Sequence, residues 1–146
     1  MFIIVAGAGR LGSVAAQTLA QRGHSVTVID FRRDRLDALP ESFGGFRLEG
    51  DAAELETLKR SRMEDADVVV AVTESDSLNL MVAQLARNRF GVTKVIARIY
   101  DQVTEQVYRH LDVKIVCPTT LALDSVLDEL TGERATEEET SPEESQ

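Results

Sequence analysis

Three glycines, Gly7, Gly9 and Gly12, stand at the G-x-G-x-x-G spacing within Val5-Ala6-Gly7-Ala8-Gly9-Arg10-Leu11-Gly12. Residues of this kind at this spacing can cradle a phosphate. The first glycine permits a sharp turn out of a buried strand, the second lets the backbone approach a pyrophosphate, and the third lets the next helix pack closely on the strand. N–H groups at the helix start, aided by the helix dipole, then face the anion. Asp30 lies 18 positions beyond Gly12, where this fingerprint places a carboxylate that accepts hydrogen bonds from a ribose diol. The glycines alone are a weak signal. A strand before them, a helix after them and a second strand ending in the acid make the signal specific.

Such a loop must be carried by a strand and a helix, and the chain supplies an alternation of both. Residues 2–6 read as a first strand. Residues 10–22 read as a helix with Leu11, Val14, Ala15, Thr18 and Leu19 on one face, ended by Gly23. Residues 25–30 form a second strand. Residues 32–39 read as a short helix stopped by Pro40, and residues 46–49 as a third strand. Asp51 is placed to N-cap a helix over 52–60. The apolar run of residues 67–72 has the composition of a strand buried on both faces of a parallel sheet. Helix 77–89, strand 94–98, helix 101–111, strand 113–116 and helix 119–130 complete the alternation. The pattern predicts an α/β fold, a Rossmann-like, doubly wound parallel sheet of six strands. Ligands of such sheets sit beyond the carboxyl ends of the strands. The loops to inspect are therefore those holding Gly7 to Gly12, Asp30 to Arg32, Gly50-Asp51-Ala52, Val72-Thr73-Glu74, and Arg98.

Composition narrows the function. A chain of 146 residues with 43% hydrophobic content reads as one globular domain. No apolar run approaches the ~18 residues of a membrane span, and the immediate entry into a strand leaves no place for a signal peptide. Cys117 is the single cysteine, which fits a reducing, cytoplasmic setting and reads as a small buried side chain. The net charge is −9; residues 133–146 carry −5 of it, with six Glu and one Arg. This is the wrong sign for a nucleic-acid footprint. The segment 132–146 reads as an acidic, disordered tail.

Several stretches together resemble the RCK/KTN (TrkA-N) nucleotide-binding regulatory domains of potassium transporters and channels. They are Gly7 to Gly12, Arg22-Gly23-His24-Ser25-Val26, Val28-Ile29-Asp30, Gly50-Asp51-Ala52, Met63 to Thr73, Asp76 with Asn79, and Val95 to Arg98. The similarity runs over about residues 1–131. The Gly-Asp-Ala and Glu-Asp-Ala-Asp-Val-Val pieces are much more specific to that family than the glycines are. The resemblance implies a cytoplasmic regulatory subunit, at the inner face of the membrane through a potassium transporter or channel subunit. It implies binding of NAD(H), ADP/ATP or AMP, with NADP(H) disfavoured by Asp30, and assembly as a homodimer or a larger ring such as an octamer. It assigns phosphate contact to Gly7, Gly9, Gly12 and Arg10, the ribose to Asp30, the adenine border to Asp51 and Ala52, and the far end of the ligand to Thr73 and Arg98. Ala8, Leu11, Phe31, Arg32, Gly50, Val72 and Glu74 are further cofactor-binding candidates. The smaller second domain usual in the family is absent from this sequence, which leaves a stand-alone regulator or an RCK-C companion on another polypeptide.

Other readings stay beside this one. Asp51 serves equally as a helix cap, Arg98 as a surface charge, and Arg32, Arg33 and Arg35 as a solvated helix face with Arg32 foremost towards a ligand. Glu74 and Asp76 read equally as loop polars. A nucleotide-sensing adaptor for another partner would carry the same residues. A small NAD-dependent oxidoreductase would need a proton donor beside the nicotinamide. His24 and His110 both precede strands, away from the site, and neither Tyr100 nor Tyr108 has a lysine four positions on. No His/Cys cluster has metal-ligand spacing. The sequence is therefore read as non-enzymatic and without a metal site. In the last helix, Leu123, Val126, Leu127 and Leu130 form one apolar stripe. In the resembling family the corresponding helix crosses to a partner subunit, so the stripe is expected to serve in dimerisation; the stripe alone fits equally a final helix folded back on its own sheet.

Overall fold

The computed structural model describes residues 1–132, so the expected tail lies outside the described residues from 133 onward. Elements follow in the order β1 (Phe2–Ala6), α1 (Arg10–Gln21), β2 (Ser25–Asp30), α2 (Arg33–Asp37), β3 (Phe46–Glu49) and α3 (Leu55–Arg60). After a 3₁₀ turn at Met63–Asp65 come β4 (Val68–Ala71), α4 (Asp76–Asn88), β5 (Lys94–Arg98), α5 (Gln102–Tyr108), β6 (Lys114–Val116) and α6 (Pro118–Thr131). The strands form one parallel sheet in the order β3-β2-β1-β4-β5-β6. This is the expected doubly wound, Rossmann-like architecture. Val5 of β1 stands opposite Val28 of β2 and Val70 of β4. The chain leaves β1 in one direction for β2 and β3, then returns across to β4. The topological switch, and with it the crevice for a ligand, therefore lies at the carboxyl ends of β1 and β4.

Alternation along β1 divides the core. Ile4 and Ala6 face a layer holding Leu58 of α3 and Val82, Ala83 and Ala86 of α4. Ile3 and Val5 face a layer holding Ala16 of α1 and Leu36 of α2. No helix among the described residues is long and apolar enough to cross a membrane.

The structure differs from the sequence reading in four local respects. The expected face of α1 holds only in part. Leu19 packs against the core and Ala15 is half-buried, but Leu11, Val14 and Thr18 are exposed and the fully buried positions are Gly12 and Ala16. The tight approach of the start of α1 to the strand turn selects small side chains there and turns Leu11 and Val14 outward. Asp51 does not cap α3, which starts later, at Leu55 after Glu54. Its Oδ1 instead accepts from Ala53 N at 2.8 Å, and its carbonyl accepts from Glu54 N at 3.0 Å, so it closes a turn of its own. The helix expected over 77–89 starts one residue earlier, with Ser75 of the preceding loop as its cap, Oγ accepting from Leu78 N. Asp76 therefore lies inside the first turn of α4 rather than in the loop. Finally, α2 spans only five residues.

Two features of the second half bear on the site. Asp101 caps α5, its carboxylate accepting from Val103 N and Thr104 N. Glu105 of α5 is buried and accepts from Thr120 Oγ1 of α6 at 2.9 Å. Cys117 is buried just ahead of α6, as expected.

Candidate functional site

At the switch point the β1–α1 loop turns on Gly7, whose φ is +110°. A Cβ there would stand 2.8 Å from Val72 O. At Gly12 a Cβ would stand 1.7 Å from Gly7 O, so α1 lies directly against the turn. Gly9 differs: a Cβ there would meet nothing within 4 Å. No protein atom fills the space in front of Gly9, at the start of α1. Open backbone at a helix start is what an approaching phosphate requires.

Asp30, at the end of β2, is 6% exposed. Its Oδ2 accepts from Ala8 N at 2.9 Å and its Oδ1 from Arg32 N at 2.8 Å. The side chain therefore ties the glycine loop to the start of α2. An ionised carboxylate has about four lone-pair sites, so each oxygen keeps capacity for one further donor. Two adjacent hydroxyls suit that remainder.

These elements border a cleft of about 490 Å³ lined, among the sequence-predicted residues, by Gly7, Gly9, Arg10, Asp30, Phe31, Arg32, Gly50, Asp51, Ala52, Val72, Thr73, Glu74 and Arg98. Ala8, Leu11 and Gly12 are not on its wall. Ala8 contributes its N–H to Asp30, Gly12 supports the turn from beneath, and Leu11 is exposed on α1. The wall also includes Ile29, Arg35, Ser75, Leu78 and Tyr100, which sequence reasoning did not assign to it.

The arginines sort by their partners. The Arg10 side chain has no hydrogen bond or ion pair to any described residue and stands exposed at the first position of α1, while its carbonyl accepts from Ser13 Oγ at 3.2 Å. Arg32 pairs with Asp34 at 2.8 Å on the surface. That hydrogen bond raises the Arg32 guanidinium above its ordinary pKa and holds the Asp34 carboxyl below the usual carboxylate range. Arg33 lies 3.9 Å from Asp37 and 3.8 Å from Glu49. Arg35, grouped with these on a solvated face by sequence, is turned inward. Its Nη2 donates to Glu74 Oε1 at 2.8 Å and its Nη1 lies 3.8 Å from Asp30 Oδ2. Arg98 is not a surface charge either. It is 6% exposed, donates from Nη2 to Val72 O and Thr73 O, and packs 4.6 Å from the Tyr100 ring centroid. Among the described residues no carboxylate pairs with Arg98, and its buried Nε lacks an acceptor. A desolvated cation with an unused donor favours an anion or a carbonyl oxygen.

The β4 and β5 ends are held by α4. Asn79 is fully buried; its Oδ1 accepts from Thr73 N and Thr73 Oγ1, and its Nδ2 donates to Thr73 O and Arg98 O. Asp76 accepts from Tyr100 N and Asp101 N. One helix start thus fixes both loops on the β4/β5 side. The visible signal for Asn79 was a polar residue on the inner face of an amphipathic helix. Arg35 had no signal, because five residues are too few for a periodicity. Among the described residues no group of three or more His, Cys, Asp or Glu could hold a metal ion. His24 lies away from the cleft, next to the N-terminal amine.

Fold and cleft together define a Rossmann-like domain whose candidate site lies at the switch point. The chain belongs to the TrkA-N domain family, whose model matches residues 3–118. It is 39% identical over 130 residues to the Trk system potassium uptake protein TrkA of Streptomyces coelicolor, covering 89% of this chain and 58% of that relative. It is 38% identical over 125 residues to the protein of the same name from Mycobacterium tuberculosis, covering 84% of this chain and 56% of the relative. The chain thus spans a little over half the length of these relatives. Among solved structures, the TrkA-N domain of the inner membrane protein ybaL from Escherichia coli superposes with a TM-score of 0.76 at 23% identity, over 88% of this chain and 96% of the other. The Kef CTD of Shewanella denitrificans in AMP-bound form gives 0.73 at 24% identity, over 90% and 80%. The GsuK channel bound to NAD gives 0.73 at 22% identity, over 89% and 23%, and GsuK bound to ADP gives 0.72 at 22%, over 90% and 34%. At these identities the likeness is one of fold.

Proposed function

We propose that this domain binds an adenine nucleotide, NAD(H) or ADP/ATP, with AMP also accommodated, and so regulates potassium uptake or conductance by a membrane transporter or channel. The observation that carries the reading is the pairing of open backbone at Gly9 with the two remaining acceptor sites of Asp30. The first suits a phosphate and the second a ribose diol. The names of the matched relatives support the potassium assignment, and the AMP, ADP and NAD of the superposed structures support the ligand class. Gly7, Gly9 and Arg10 would take the phosphates, Asp30 the ribose, Asp51 and Ala52 the base, and Arg98 the far end of the ligand. In this reading the chain is a cytoplasmic sensor rather than an enzyme, as the names of its matched relatives suggest.

Titration calorimetry with NADH, NAD, ADP, ATP, AMP and NADPH tests the ligand. We expect NADH or an adenine nucleotide to bind more tightly than NADPH. No binding by any of them at millimolar concentration refutes the site. Deletion of the gene, followed by rubidium uptake in the same cells, tests the transport role, and unchanged uptake refutes it.

Assembly belongs to the same proposal. In α6, Leu121, Leu123, Val126, Leu127 and Leu130 are all exposed. The helix does not return to cover the chain's own sheet, and a two-fold dimer would cover the stripe. Light scattering during size exclusion is expected to report a dimer or larger assembly. Leu127→Asp with Leu130→Asp is expected to reduce it to a monomer. A monomer in the unaltered protein at high micromolar concentration refutes assembly, and a surviving dimer in the double variant moves the interface elsewhere.

A further inference from the structure

Asp30 alone would set the choice between a 2′-hydroxyl and a 2′-phosphate by charge repulsion. The structure places a second pair beside it. The Arg35 guanidinium lies 3.8 Å from Asp30 Oδ2, yet its hydrogen bond goes to Glu74 Oε1, at 2.8 Å, on the β4–α4 loop. The Arg35 side chain is 23% exposed and that of Glu74 is 75% exposed. The arginine is therefore held near the ribose-binding carboxylate by an acid that sits at the open mouth of the cleft. Arg32 also lines the cleft, but its guanidinium is held by Asp34 through both Nε and Nη2, and Arg33 is engaged by Asp37 and Glu49 on the outer surface. Arg35 is the cation of α2 that both lines the cleft and stands against Asp30.

We propose that Glu74 is a specificity-determining residue, which keeps the adenosine site selective against a 2′-phosphate by occupying Arg35. This rests on the adenosine reading of the site given above. A guanidinium presents a planar fork of donors that fits phosphate oxygens in pairs. With Glu74 in place the Nη2 arm of that fork is committed and the guanidinium charge offset, so a 2′-phosphate meets Asp30 with its compensation weakened. With Glu74 neutralised, the fork is free to take the phosphate that Asp30 repels. Selectivity of this sort comes from a penalty on the wrong ligand as much as from contacts to the right one.

Two small ligands isolate the effect from the nicotinamide half: 5′-AMP, and adenosine 2′,5′-bisphosphate, which differs only by the 2′-phosphate. The quantity read is the ratio of their dissociation constants by titration calorimetry at fixed ionic strength, in the unaltered protein, Glu74→Gln, Arg35→Met, and the double variant. Glu74→Gln is expected to shift the ratio towards the bisphosphate by roughly tenfold, the size of one charge-assisted hydrogen bond. Arg35→Met keeps the apolar stem and removes the fork, so the double variant is expected to lose that gain. An unchanged ratio in Glu74→Gln overturns the proposal. So does a gain that persists in the double variant, because it would come from the lost negative charge alone. If neither ligand binds the unaltered protein, the adenosine reading itself fails, and that outcome is distinct from the other two.

Discussion

Gly12→Ala is expected to destabilise the domain by at least about 3 kcal/mol, or to prevent folding. The new methyl carbon would stand 1.7 Å from the Gly7 carbonyl oxygen. Gly7 cannot yield, since its turn is held by Gly7 N donating to Ile29 O at 2.8 Å and is closed from the other side by Val72 and Thr73. Moving α1 away instead would open the contact of Ala16 with the sheet. Gly9→Ala provides the contrast. Its methyl would meet no protein atom within 4 Å, and as a helix-start substitution it is expected to cost about 1 kcal/mol or less. It should nonetheless weaken nucleotide binding, because the methyl would project into the space proposed for phosphate. Urea denaturation and NADH titration of the two variants measure both quantities. A folded Gly12→Ala protein of unaltered stability would contradict the packing described for α1. A Gly9→Ala protein with full affinity would remove the phosphate from that loop.

The second large effect is expected at Asp30. Asp30→Ala should lower affinity for adenosine ligands by roughly a hundredfold, because two hydrogen bonds to a charged acceptor are lost. It should also lower stability by about 1–3 kcal/mol, since Ala8 N loses its acceptor in a buried setting and Arg32 N in a partly buried one. Asp30→Asn is not a mild alternative. Each carboxylate oxygen accepts a backbone N–H, so either orientation of the amide sets its NH₂ group against one of them. Both variants are therefore expected to lose ligand and stability together. NADH binding by Asp30→Ala equal to that of the unaltered protein would place the ribose elsewhere.

The parts of the molecule legible in the sequence are those where one physical demand dominates. β4 reads as a buried strand because both faces of the sheet are covered and nothing polar is tolerated there. Asp30 was found because strand, turn and helix leave little freedom in where the acid falls. Arg35 was missed because its direction depends on a partner 39 positions away, Glu74, and on a helix too short to show a face. The inner face of α1 was misread in part because size was weighed there and closeness was not. Leu11 and Val14 are the more hydrophobic residues, but only Gly12 and Ala16 fit against the turn. Asp51 looked like a helix cap because an Asx turn and an N-cap use the same side chain and the same kind of N–H.

The attachment of α6 has a mechanical consequence. Its root is fixed: Thr120 donates to Glu105, and Val116, which precedes the buried Cys117, is paired with Arg98 of the cleft wall. From Leu121 onward every described residue except Asp128 is exposed. Of the 14 residues of the helix, the ten from Leu121 to Leu130 extend beyond the anchored Thr120, and at about 1.5 Å per residue they make an arm of roughly 15 Å. Tilting that arm by about ten degrees at the root displaces its tip by about 2.6 Å, a large fraction of an atomic contact distance. A movement at β6 too small to disturb the sheet is thereby amplified several-fold at Leu130, where anything seated on the arm would feel it as a change of register.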